Sequence, residues 1–174
     1  MKFFKLKTKN YIYLKKMETT HKKIIIFYYS YHNMNTKKLL EASCANCSNV
    51  ELIQLPTERT DVSGYDFIGF ASGIYYLGMA KEIYEQIEKL KGLEGKHCFS
   101  IATSGMGFEK FGFYPKNYII KKGGLFEGAL SIKAYDAFGP FKLIGGINKN
   151  KPNEDDFNNT KRFIDNIVMK YENE

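Results

Sequence analysis

The segment Ile24–Tyr29, IIIFYY, is apolar or aromatic at every position, with no alternation of polar side chains. A strand with one wet face alternates, so an unbroken run of this length calls for burial on both faces. Similar runs recur at Val50–Leu55, Phe67–Ala71, Cys98–Ala102 and Leu130–Tyr135. Helical patterns separate them, over Asn35–Cys44 and Met79–Leu90 and around Lys110–Lys121. A last helix, Glu154–Lys170, opens on acids, which suit the positive end of a helix dipole. It gathers Phe157, Phe163, Ile164, Ile167 and Val168 on one face. Only the link from Leu55 to Phe67 lacks a helix. Strand–helix alternation with continuous apolar strands predicts a doubly wound α/β sandwich, a parallel sheet covered on both sides. Ligands of such sheets bind beyond the carboxyl ends of the strands.

The chain of 174 residues is long enough for one domain with a real core. Its net charge of +7 suggests nucleic acid or an acidic membrane surface, but the distribution argues otherwise. Residues 1–23 hold eight lysines (2, 5, 7, 9, 15, 16, 22 and 23) and the single acid Glu18. Taking them from 26 basic and 19 acidic residues leaves 18 against 18, so the body is neutral. The expected organisation is a basic, disordered extension over residues 1–22, or sequence upstream of a start at Met17, followed by a domain over residues 23–174. No nucleic-acid partner is expected. The extension has no apolar run long enough for a signal peptide or a membrane span, and a cytoplasmic location is expected.

Cys44, Cys47 and Cys98 are an odd number, which suits free thiols in a reducing compartment. Cys44-Ala-Asn-Cys47 is formally a C-x-x-C. It falls at the predicted end of a helix, where the dipole opposes a thiolate, so these cysteines are read as structural or incidental.

Three strand-end loops carry the candidate chemistry. The first is Ser30-Tyr31-His32-Asn33-Met34-Asn35-Thr36. Its hydroxyls and amides, with the free N–H groups of the following helix, suit an anion. Asn35 or Thr36 acting only as a helix cap accounts for the same residues equally well. After the third strand comes Ala71-Ser72-Gly73-Ile74-Tyr75-Tyr76-Leu77-Gly78, where one tyrosine should pack back on the sheet and the other cover something flat. After the fourth comes Thr103-Ser104-Gly105-Met106-Gly107-Phe108, able to offer backbone groups at close range. Small, polar loops converging on one sheet edge favour a binding site over separate turns.

The Walker glycines are absent, which argues against a nucleotide triphosphatase. There is no carboxylate cluster for a phospho-receiver metal, and no G-x-S-x-G nucleophile elbow with a partnered histidine. Of the three histidines only His32 lies at the presumed site.

Taken in order, IIIFYYSYHNMNTKKLLEA, YDFIGFASGIYYLGMAKEIYEQIEKL, FSIATSGMG and AYDAFGPFKLIGGINKNKPNEDD resemble the flavodoxin family, specifically small single-domain bacterial flavodoxin-like proteins. The first matches the family's strand, phosphate loop S-x-x-x-G-N-T and helix. The resemblance implies a three-layer sandwich with a five-stranded parallel sheet in the order 2-1-3-4-5, binding FMN. It places Ser30, His32, Asn33, Met34, Asn35 and Thr36 around the FMN phosphate. Ser72, Gly73, Ile74, Tyr75 and Tyr76 fall beside the flavin ring, and Thr103, Ser104, Gly105 and Gly107 at its pyrimidine edge. It also makes the carbonyl of Gly73 or of its neighbour a candidate contact for the flavin N5.

The implied function is electron transfer or a small flavin-dependent oxidoreductase, working with redox partner proteins as a monomer or weak dimer. The alternatives are a cofactor-free interaction module and an NAD(P)H-dependent FMN or quinone reductase. Two departures stand out. Met34 takes the loop position where the family usually has glycine, and would be strained if that position needs φ > 0. The body is neutral, whereas electron-carrier flavodoxins tend to be acidic.

Overall fold

The computed structural model describes residues 22–76 and 78–171. Apart from Lys22, the predicted basic extension lies outside the described residues. Among the described residues six strands form: β1 Ile24–Tyr29, β2 Val50–Gln54, β3 Phe67–Tyr75, β4 Gly78–Met79, β5 His97–Ser104 and β6 Leu125–Lys133. Four α-helices accompany them among the same residues: α1 Asn35–Ser43, α2 Lys81–Lys89, α3 Lys116–Lys121 and α4 Glu154–Met169. The long strands pair in parallel in the order β2-β1-β3-β5-β6. Setting aside β4, which pairs antiparallel with the end of β3, this is the predicted order 2-1-3-4-5.

The apolar run of β1 is buried on both faces, as its composition demands. Ile25 and Phe27 pack with Ile68 and Phe70 against Ile83 and Ile87 of α2 and Ile119 of α3. Ile24, Ile26 and Tyr28 point the other way, with Phe67, Phe99 and Ile101 against Leu39 and Leu40 of α1 and Ile164, Ile167 and Val168 of α4. Gly69 occupies the tightest point of that second layer. A Cβ there would lie 2.7 Å from Phe99 Cζ and 2.9 Å from Ile26 Cγ1.

Helix α4 starts in a capping box. The Asn153 side chain accepts the Asp156 N–H at 3.3 Å, and the Asp156 carboxylate accepts the Asn153 N–H at 2.9 Å. Among the described residues no helix is long and apolar enough to cross a membrane.

Three elements differ from the sequence reading. β3 runs four residues past Ala71, because Ile74 and Tyr75 pair with Met79 and Gly78 in a hairpin. β6 begins at Leu125 rather than Leu130; Gly128 sits opposite Phe99 where the pairing skips Glu127, a β-bulge. The helix expected around Lys110–Lys121 splits at Pro115 into a 3₁₀ turn, Glu109–Phe113, and α3. The link from β2 to β3 has no helix, as expected.

Candidate functional site

The loops after β1, β3, β5 and β6 enclose a cavity of about 480 Å³ at the carboxyl edge of the sheet. It lies where the strand order reverses between β1 and β3, the position that the topology assigns to a ligand.

The first loop is shaped by two consecutive residues in the left-handed region, Asn33 and Met34, both at φ 53°. Asparagine tolerates that conformation; methionine has a Cβ that opposes it. Met34 is also the N-cap of α1 and makes no side-chain capping bond. Neither Asn35 nor Thr36 serves as that cap. Asn35 Nδ2 instead donates to the Tyr135 carbonyl at 2.7 Å, and the buried Thr36 Oγ1 lies 2.9 Å from Thr103 Oγ1. These two contacts tie the first loop to the loops after β6 and β5. Ser30 is buried behind the cavity, its Oγ accepting the Lys37 N–H at 3.2 Å. The first N–H groups of a helix have no intrahelical partner, and here Asn33, Asn35 and Thr36 line the cavity where α1 begins.

Met34 yields a stability prediction. Relief of a left-handed non-glycine residue is worth about 1–2 kcal/mol, and glycine's extra chain entropy takes back roughly 0.5–1. Met34→Gly is therefore expected to raise the unfolding free energy by up to about 1 kcal/mol in urea denaturation. An unfolding midpoint at or below that of the parent would contradict strain at this residue.

In the second loop the two tyrosines part company. Tyr75 folds back over Gly73, whose Cβ, if present, would be 3.0 Å from the Tyr75 hydroxyl. Its ring meets the Tyr29 ring edge-on at 5.9 Å, and its hydroxyl accepts the Tyr31 N–H at 3.4 Å. Burial pushes the Tyr75 phenol above its usual range, opposed by the backbone donors of Tyr31 and His32. Tyr76 is 95% exposed at the hairpin tip, at φ 49°. Ser72 does not line the cavity. Its hydroxyl donates to the Gly73 carbonyl at 2.7 Å and accepts the Ala80 N–H at 3.1 Å, holding the base of the hairpin. The Gly73 carbonyl is thus already engaged by its neighbour, while Gly73 and Ile74 line the cavity.

In the third loop Thr103, Ser104 and Gly105 line the cavity. Ser104 Oγ accepts the Gly107 N–H at 2.8 Å. Gly107 itself, at φ 63°, packs on Lys133 outside the lining. Gly105 must be glycine for a different reason: a Cβ would fall 2.6 Å from Asp136 Oδ2.

The predicted residues His32, Asn33, Asn35, Thr36, Gly73, Ile74, Tyr75, Tyr76, Thr103, Ser104 and Gly105 thus surround one cavity; Ser30, Met34, Ser72 and Gly107 shape it from behind or beside. Sequence reasoning missed the fourth wall, Tyr135, Asp136, Ala137 and Phe138, and also Met106 and Phe111. Asp136 Oδ1 accepts the Phe138 N–H at 2.9 Å, and Asp136 exchanges both backbone bonds with Ile147. Asn148 Nδ2 then donates to Gly105 O at 2.7 Å and Ala134 O at 3.1 Å, clamping the loops after β5 and β6 together. A signal was present: AYDAFGP is also a small, aromatic, Gly-Pro-bearing strand-end stretch, hidden by extending the strand through Tyr135. Among the described residues no group of three or more His, Cys, Asp or Glu is placed to hold a metal ion.

This arrangement of sheet and loops is that of the flavodoxin-like fold. A flavodoxin from the domain Archaea matches with a TM-score of 0.59 at 15% identity, covering 84% of this chain and 97% of that one. A variant of the Fusobacterium nucleatum flavodoxin bound to flavin mononucleotide matches with a TM-score of 0.60 at 13% identity, covering 86% and 97%. In sequence, the chain is 35% identical over 149 residues to Uncharacterized protein MJ0298 of Methanocaldococcus jannaschii, covering 84% of this chain and 98% of the relative. The chain belongs to the family of that archaeal protein, with a flavodoxin-like fold. No protein-family model matches it.

Proposed function

We propose that the chain is an FMN-binding redox protein whose cofactor occupies the cavity between the loops after β1, β3, β5 and β6. The observation that carries this reading is the start of α1, which opens beside the cavity with an N-cap, Met34, that makes no side-chain bond. Ser30 Oγ takes the Lys37 N–H, and the N–H groups ahead of it, at Asn35 and Thr36, together with the helix dipole attract a dianion without a lysine. A volume of about 480 Å³ falls within the roughly 300–1,000 Å³ of small-molecule sites. Tyr75, Phe111 and Phe138 supply apolar surface for a flat ring, and Thr103, Ser104 and Gly105 supply polar and backbone groups along one side. Solved neighbours of the same fold include a flavodoxin bound to flavin mononucleotide.

Bound FMN would supply one- and two-electron chemistry; the protein sets its position and access. The residues of the chain have distinct tasks in this reading. The loop of Ser30 to Thr36 anchors the phosphate, with Ser30 and the Thr36–Thr103 pair fixing its shape. Asn35 and Asn148 hold the loops after β5 and β6 in register. Tyr76, Phe138 and Met106, all at least 48% exposed, form a rim through which a redox partner protein reaches the ring edge. The same open rim serves an electron carrier or a reductase; bleaching of the flavin by NAD(P)H alone distinguishes the second from the first.

Phosphate anchoring is tested by comparing FMN with riboflavin, which lacks the phosphate. FMN is expected to bind at least about tenfold more tightly, since charge-assisted hydrogen bonds to an ionised group are worth roughly 1.5–3 kcal/mol. Equal affinities would contradict the assignment of the first loop.

A further inference from the structure

At the opposite end of β1, next to Ile24, the C-x-x-C segment lines a separate cavity of about 200 Å³. Cys44 is the C-cap of α1, and the Cys47 N–H donates to the Cys44 carbonyl at 3.0 Å. Such an i to i+3 turn keeps its end Cα atoms within about 7 Å, which overlaps the roughly 4.4–6.8 Å spanned by a disulfide. Both thiols are free and half-buried, and each shifts the ionisation of the other, in opposite directions. Ser43, Asn46, Lys161 and Asp165 share the cavity with them. Cys98 is different: it is fully buried, and burial pushes its thiol up to about 12.

We propose that Cys44 and Cys47 form a thiol–disulfide exchange site that reacts with low-molecular-weight disulfides, Cys47 attacking and Cys44 resolving. The hydrogen bond from Cys44 pulls the Cys47 thiol down to about 6, helped by the Lys161 ammonium against burial and Asp165. The same hydrogen bond, together with burial, raises the Cys44 thiol. A helix dipole acts mainly within the last turn. Its negative end therefore bears on Cys44, whereas Cys47 lies three residues beyond. The expectation that this helix end suppresses thiolate chemistry thus applies to one cysteine of the pair. The volume of about 200 Å³ is below that of most drug-sized sites and suits the tip of a small thiol rather than a peptide segment.

The exchange balances without any group from the flavin cavity. The Cys47 thiolate attacks one sulfur of a disulfide R–S–S–R, breaking its S–S bond and releasing RS⁻. Cys44 then attacks the Cys47 sulfur of the mixed disulfide, its proton passing to the departing thiolate. The two cysteines lose two electrons and two protons in total, and the co-substrate becomes two thiols. The run of β1 separates this pair from the other cavity by about 17 Å, so the chemistry is independent of flavin.

The test uses the full chain in glutathione buffers of graded oxidised-to-reduced ratio, acid-quenched, alkylated and mapped by mass spectrometry. The parent should form a Cys44–Cys47 disulfide with or without FMN. Cys44→Ser should accumulate one glutathione on Cys47, whereas Cys47→Ser should leave Cys44 largely unmodified over the same time. Alkylation of Cys47 by iodoacetamide should rise through pH 6 to a plateau, and its midpoint should move upward in Cys44→Ala, which removes the donor. Absence of the Cys44–Cys47 disulfide at every ratio, or equal glutathione capture by the two serine variants, would overturn the proposal.

Discussion

Phe99→Ala is expected to lower the unfolding free energy by about 3–5 kcal/mol, measured by urea denaturation. Phe99 is fully buried in the layer between the sheet and α4, its ring edge-on to Phe163 at 6.0 Å. With Ile26, it is also what keeps position 69 a glycine, since a Cβ there would come 2.7 Å from Phe99 Cζ and 2.9 Å from Ile26 Cγ1. Gly69→Ala alone should then cost about 1–3 kcal/mol through overpacking. The two effects should not add. With the ring removed, the new methyl group occupies vacated space, so the double variant should be clearly more stable than the sum of the single losses implies. Additive costs would mean that Gly69 is retained for some reason other than the ring above it.

The second large effect concerns the cofactor. A ligand that binds only the folded state stabilises it by RT ln(1 + [L]/Kd), about 2.7 kcal/mol at a hundredfold excess over Kd. For a chain of this size each kcal/mol moves Tm by roughly 2–4 °C, so saturating FMN should raise Tm by about 5–11 °C. Riboflavin at the same concentration should give a smaller shift, because the phosphate carries the contact with the first loop. An unchanged Tm with FMN at high concentration would speak against binding in any orientation.

The parallel sheet was legible because the signal for it is local. IIIFYY has no polar face, and only a doubly covered strand tolerates that. The same holds for α4, where the acids after Asn153 and the stripe of Ile164, Ile167 and Val168 fix both its start and its buried side. The site was legible in three of its walls because each loop is polar and small immediately after an apolar run. The fourth wall was missed because its placement rests on non-local bonds. Asn148 reaches Gly105 and Ala134, and Asp136 pairs with Ile147, contacts that no local pattern announces. That one of the two tyrosines packs back on the sheet was foreseen, but not which one. It depends on the hairpin through Gly78 and Met79, which directs Tyr75 toward Tyr29 and His32. Met34 runs the other way: the missing glycine was visible in the sequence, and its positive φ is what the loop requires.

The most direct measurement is a fluorescence titration of FMN with the purified protein. Quenching should saturate at one protein per FMN, with a shifted visible spectrum for the bound flavin. FMN fluorescence that stays unquenched at a large excess of protein would contradict it and leave a flavodoxin-like fold without the cofactor.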